Sequence, residues 1–277
     1  MRQAKIYVRL PSNGAYWEKG SIEWPANGEL AVYSMTAKDE LAFKTPDALL
    51  NGQAVVDVIQ SCIPAIKDAW KTPNIDLDSI LAAIRIATYG EKMDVTHTVP
   101  NTTEQVTHIV DLRLILDQLS NNTRWDEKVV INDQLSCFIR PLTYRHLSLT
   151  SLKTFETQRL MQAVNDEALS DERKLEIFNQ SFNKMTDITV ELVADSIYAV
   201  QTPETVVEDS EFIKEFVQNA DKDVFQKVQE RITELKKTND LKPLLIKSTP
   251  DLIALGAPET YELPISFDNS DFFGQGS

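Results

Sequence analysis

The sequence predicts an α+β fold: an N-terminal small sheet with helices over residues 1–91, further strands over 92–142, a helical lobe over 143–240, and C-terminal strands with an acidic aromatic tail over 241–277. Three observations carry this reading. Apolar and polar residues alternate at the start of the chain and again between 92 and 140. From about residue 143 to 237 the apolar residues recur at three- and four-residue steps. Hydrophobic residues make up 42% and charged residues 25% of the 277, the composition of a chain that buries a core.

Lys5-Ile6-Tyr7-Val8-Arg9-Leu10, Ser21-Ile22-Glu23-Trp24 and Leu30-Ala31-Val32-Tyr33 alternate as half-buried strands, separated by the turn signals Asn13-Gly14 and Asn27-Gly28. Thr36 with Asp39 and Glu40 has the form of a helix N-cap and acidic first turn, and that helix breaks near Thr45-Pro46. Ala54, Val55, Val58, Ile59 and Cys62 keep helical spacing up to Pro64. A further helix, capped by Asp76 or Asp78, carries Ile80, Leu81, Ile84 and Ile86 and ends at Gly90, the C′ position where glycine's left-handed freedom is used. Strands then return at 94–98 and 105–110, with a short helix through Leu112, Ile115, Leu116 and Leu119, and a hairpin turning at Asn132-Asp133.

The helical lobe reads as three helices, almost without break: one through Leu149, Leu152, Phe155 and Leu160, one capped by Ser170 with Leu175, Phe178, Phe182 and Met185, and one starting near Asp209 with Ile213, Phe216, Phe225 and Val228. Leu244-Leu245-Ile246 and Thr260–Ile265 read as strands. The terminal residues then place Phe267, Phe272 and Phe273 among acids, a segment that either docks in a partner's apolar groove or folds back on its own sheet.

A net charge of −14 opposes binding to a phosphate backbone, so nucleic acid is not an expected partner. Residues 141–277 hold 24 acidic against 14 basic side chains, concentrating the negative charge on the helical half. No signal-peptide-like core opens the chain and no apolar run reaches the roughly 20 residues of a membrane span, so the expected location is cytoplasmic. Cys62 and Cys137 fit reduced, buried thiols.

Neither a glycine-rich phosphate cradle nor H-E-x-x-H nor G-x-S-x-G occurs. Ser181-Phe182-Asn183-Lys184 matches S-x-x-K inside a predicted helix, without its partner motifs. His97 and His108 lie on neighbouring strand segments, and His146 opens the helical region; hydrogen-bonded or surface histidines are the expected reading. The chain is expected to be no enzyme, to need no cofactor, and to work by binding proteins. Phe178, Phe182 and Phe216 on the helices join Phe267, Phe272 and Phe273 as candidate partner-binding side chains.

Several blocks, in order, resemble the baseplate hub assembly proteins of T-even bacteriophages: Leu10-Pro11-Ser12-Asn13-Gly14, Ser34–Glu40, Cys62-Ile63-Pro64, Ile84–Gly90, Val110-Asp111-Leu112, Ile139–Tyr144 and Phe267–Phe273. The resemblance implies a small β domain built as a split zinc ribbon, with the helical lobe leaving and re-entering it. Here the two knuckles fall on Val99-Pro100-Asn101-Thr102 and Leu252-Ile253-Ala254-Leu255-Gly256. Val99, Thr102, Leu252 and Leu255 stand where thiolates would be, so the expected domain is a degenerate, zinc-ribbon-like one without metal. The implied partners are phage baseplate hub or tail proteins, with a homo-oligomer compatible, in the host cytoplasm or in the virion tail baseplate. The implied role is assembly chaperone or minor hub component; a helical adaptor of another cytoplasmic system is the alternative.

Overall fold

The computed structural model describes residues 2–43, 52–121, 125–163 and 170–265. Strands β1 (Ile6–Val8) and β2 (Leu30–Val32) pair antiparallel, with Ile6 opposite Val32. The Ser21–Trp24 segment is not a strand; Ile22 makes only an isolated bridge to Ile66, because the turns between β1 and β2 carry it away from the hairpin. Helix α1 (Ala37–Phe43) starts with the expected cap: the Thr36 amide donates to the Asp39 carboxylate and the Asp39 amide to the Thr36 hydroxyl. The break expected at Thr45-Pro46 lies outside the described residues.

Helix α2 (Gln53–Cys62) follows Gly52, which has φ +77°; a Cβ there would meet the Ser148 hydroxyl at 2.5 Å, so glycine is required twice over. Helix α3 (Asn74–Tyr89) is the centre of the first core. Ser79 to Ala87 are all buried, including Ile80 and Ile84 at 0% exposure. A helix buried on every side, with Arg85 and Ser79 among its buried residues, must be wrapped on every side. The wrapping comes from β1, β2 and α2, from β3 (Lys92–Thr98), β4 (Gln105–Asp111) and α4 (Leu112–Asn121), and from Tyr144.

Asp76 does not cap α3, whose N-cap is Pro73. Its carboxylate instead accepts from the Ser12 amide at 2.8 Å, from the Ser12 hydroxyl, and from the Trp17 indole N–H at 2.8 Å. This pins the turn-rich 10–17 segment over the first turn of the helix. Burial pushes the Asp76 carboxyl up to about 6, against the opposing pull of its three donors.

A second core forms under a four-stranded antiparallel sheet, in the order β5 (Lys128–Asn132), β6 (Leu135–Ile139), β7 (Ile197–Gln201), β8 (Val206–Val207). The helical pattern expected over 143–237 is thus interrupted by β7 and β8. The β-branched and aromatic run Ile197-Tyr198-Ala199-Val200 is short enough to be hidden between long helices, and pairing with β6 decides it. Helices α5 (Tyr144–Ala163) and α6 (Asp171–Ser196) form an antiparallel hairpin. The single helix expected from Asp209 through Phe225 and Val228 is two, α7 (Ser210–Asn219) and α8 (Lys222–Asn239), broken at Ala220-Asp221, and they complete the second core with Ile213, Val217, Val228 and Leu235. The cap expected at Ser170 is present, accepting from the Arg173 amide, and the helix expected to start near Asp209 is capped by that side chain, which accepts from the Glu211 and Phe212 amides.

Finally β9 (Leu244–Lys247) and β10 (Thr260–Leu263) pair antiparallel around the short helix α9 (Pro250–Ala254). Cys62 and Cys137 are buried free thiols in the first and second cores, and burial pushes both up to about 11. Replacing Asp76 by alanine strands three donors and should cost about 2–4 kcal/mol. Asp76→Asn, which keeps an acceptor oxygen, should cost less; urea midpoints of the two variants check this order.

Candidate functional site

The structure separates the aromatic residues singled out from the sequence. Phe178 and Phe182, on α6, are 48% and 64% exposed. Phe216, on α7, is instead packed against the second core. Phe267, Phe272 and Phe273 lie outside the described residues.

The exposed pair belongs to a larger surface. At 100° per residue, every charged side chain of residues 147–162 and 175–193 falls on one side of the α5–α6 hairpin. Lys153, Glu156, Lys184, Asp187 and Glu191 line a shallow pocket there, with Lys153 and Glu191 ion-paired. The other side carries Thr154, Gln158 and Met161 from α5, and Leu175, Phe178, Phe182 and Met185 from α6. Leu175 is 61% exposed, like its aromatic neighbours. Thr157 and Ser181 are buried where small side chains suit close helix approach.

The uncharged side runs down the hairpin into a cleft of about 480 Å³ between α3, α5, α6 and α8. Leu77, Trp125, Leu147, Val193 and Ile232 form apolar walls, with Asp78 and Asp240 also lining the cleft. Burial, then the negative Asp240, pushes the Asp78 carboxyl up to about 6. Sequence reading found the apolar repeat on α6 but not the sorting of charge; a helical projection of both helices together carries that signal.

The two knuckle segments face each other across the third core. Val99, at 0% exposure, packs with Ala257 and Tyr261, and Leu252 lies against them. The Thr102 amide and hydroxyl both donate to the Val99 carbonyl, and the amides of Leu255 and Ala257 donate to the Leu252 carbonyl. These residues do not fit zinc. Val99, Leu252 and Leu255 carry no donor atom, the Thr102 hydroxyl is engaged with backbone, and Leu255 is 59% exposed. Among the described residues no group of three or more His, Cys, Asp or Glu side chains is placed to hold a metal ion.

The same junction holds the histidines. His97 and His108 are diagonal neighbours across the β3–β4 hairpin, with ring centroids 5.1 Å apart. Both Nε2 atoms reach the Tyr261 hydroxyl on β10, at 2.8 and 3.3 Å. A phenol donates one hydrogen and accepts others, so the arrangement is satisfied when one imidazole accepts and the other donates. Two imidazoliums would leave the phenolic hydrogen without an acceptor and set like charges together. Tyr261 was not among the residues singled out, because its partners lie more than 150 positions away. His146 sits apart, with its Nδ1 accepting from the Thr143 amide at the start of α5.

Burial, then the neighbouring His108, holds the His97 imidazole below its ordinary value of 6.5. A folded state that prefers neutral histidine gains stability above that value and loses it as pH falls through the lower folded one. Stability should therefore drop more steeply on acidification from pH 7 in the wild type than in the His97→Gln/His108→Gln variant, by urea unfolding at each pH.

Comparison with curated protein sequences and with solved structures found no match. Among the described residues no helix is long and apolar enough to cross a membrane. A family model described as T4 bacteriophage base plate protein matches residues 19–243, spanning most of the first core, both hairpin helices and the second core. That match covers most of the chain, and with it the chain belongs to the T4 bacteriophage base plate protein family.

Proposed function

We propose that this protein is a contractile-tail baseplate hub assembly factor that acts by protein–protein binding, either as a chaperone of hub subunits or as a minor hub component. Family membership supports a baseplate-associated role among other phage baseplate and tail proteins, and a place at the virion tail baseplate. The observation that carries the binding mechanism is the α5–α6 hairpin, whose uncharged side leaves Leu175, Phe178 and Phe182 largely exposed. Such a surface costs free energy in water until something covers it, at about 25 cal/mol per Å² of apolar area.

The finer architecture belongs to the same proposal. The β3–β4 and β9–β10 hairpins form a ribbon-like module held by Val99, Leu252, Ala257 and Tyr261 in place of a metal. The helical lobe follows β6, shares the second core with that sheet, and leads back to this module at β9. No catalytic step is assigned: the converging histidines and Tyr261 serve the joint between the hairpins. Hub assembly proceeds in the host cytoplasm in this reading.

Quantitative mass spectrometry of infected-cell lysate and of purified particles, with pull-down from the lysate, tests the role. The protein should be captured with baseplate or tail subunits. Absence from particles then marks a chaperone, and a fixed ratio to hub subunits marks a component. Capture of no tail protein at all would remove the hub reading.

A further inference from the structure

We propose that the uncharged side of the α5–α6 hairpin is a self-association surface, and that its occupant in the isolated protein is a second copy of this chain. The inference goes beyond the hub reading and stands without it.

The first argument is electrostatic. Each copy carries a net charge of −14, so two copies repel one another over most of their surfaces. Contact is least opposed where neither side presents charge, and from Leu175 onward the hairpin supplies such a face, bordered at the start of α6 by Asp171 and Lys174. Lys153, Glu156, Arg159, Glu176, Lys184, Asp187 and Glu191 all project away from it. The same sorting limits the partner: a charged group set against Phe178 and Phe182 would be desolvated with nothing to pair it. The best match to an uncharged apolar stripe edged by Gln158, Asn179 and Thr186 is another stripe of the same kind.

The second argument is geometric. A two-fold axis through the face lays α6 of one copy against α6 of the other and puts the Phe178–Phe182 stripe against itself, an isologous contact. With α5 alongside each, the product is a four-helix bundle, the usual arrangement for two such hairpins. Thr157 and Ser181 already seat α5 on α6 within each copy, so the hairpin needs no rearrangement to act as half of a bundle.

Size sets the strength. From Leu175 to Thr189 the face runs about 22 Å at 1.5 Å per residue, and two helices side by side give a width of about 20 Å. Roughly 450 Å² per copy, or roughly 900 Å² for the pair, lies just under the roughly 1,000 Å² of a standing interface. The dimer is therefore weak and concentration-dependent, suited to being displaced by a larger partner.

Sedimentation velocity of the full-length protein from about 1 to about 200 μM tests this, a range that brackets micromolar affinity. The wild type should shift from monomer to dimer across the range, and raising salt should favour the dimer by screening the net charge. Phe182→Glu, at a side chain already 64% exposed, should keep the wild-type melting temperature and weaken dimerisation at least 100-fold. Asp187→Ser, on the charged side, should dimerise like the wild type. A monomer at every concentration overturns the proposal, as does a dimer indifferent to Phe182→Glu or one that salt dissolves. A wild type that stays monomeric and dimerises only when truncated after Ile265 would assign the face to the chain's own C-terminal segment, overturning the proposal. A monomer that still captures a baseplate protein would overturn self-association and leave the hub reading intact.

Discussion

A helix with no outward face organises the first half of this protein. Ser79 to Ala87 of α3 are buried without interruption, so the chain before and after it must supply cover on every side. That requirement explains why residues from the β1–β2 hairpin, α2, β3, β4, α4 and Tyr144 share one core. At about 1.5–3 kcal/mol for each large apolar side chain fully buried, the wrapping of α3 outweighs any single polar contact in the region. The polar contacts decide placement instead. Asp76 fixes the 10–17 segment, and the Thr72 and Leu142 carbonyls, accepting from the Tyr144 and Asn74 amides, stitch the start of α5 onto the start of α3.

The second half follows from a mismatch of lengths. Helix α6 has 26 residues, about 39 Å at 1.5 Å per residue, and its buried Val193, Ala194 and Ser196 lie at its C-terminal end. The remaining turns, paired with α5, run past the sheet they would otherwise cover. A long helix beyond its core needs a reason to stay helical, and here α5 supplies it on one side. The charged side is stabilised by solvent and by the Lys153–Glu191 pair. The uncharged side has neither, and it leaves Leu175, Phe178 and Phe182 exposed to water. Membership of the base plate family implies contact with other phage baseplate and tail proteins.

The joint between the β3–β4 and β9–β10 hairpins shows how two small sheets are held where neither has a face wide enough to fold alone. Val99, Ala257 and Tyr261 bury a minimal apolar centre, and the Tyr261 hydroxyl ties both histidines of one hairpin to the other. A thiolate-bound ion would do this work through a few strong bonds; packing and a shared hydroxyl contribute it here.

Local rules were legible in the sequence. The capping box at Thr36 and Asp39, the cap at Ser170, the helix start near Asp209, the stop at Gly90 and the amphipathic repeat of Leu112, Ile115 and Leu119 all stand as read, because each depends on neighbours within a few residues. The coarse α+β class and the baseplate family were also within reach. What escaped were pairings across distance. Ser21–Trp24 alternates like a strand but finds no ladder, whereas Ile197–Gln201 hides between helices and finds one on β6. Asp76 stands where a cap is expected and is claimed by Ser12 and Trp17. Phe216 and Phe182 look alike on their helices, yet one meets the second core and the other water. The sequence alone determined where several helices start and stop, at Thr36, Ser170 and Gly90, since hydrogen bonds at a helix end close over four residues. Only the tertiary structure decided which faces are covered, because burial depends on what arrives from elsewhere in the chain.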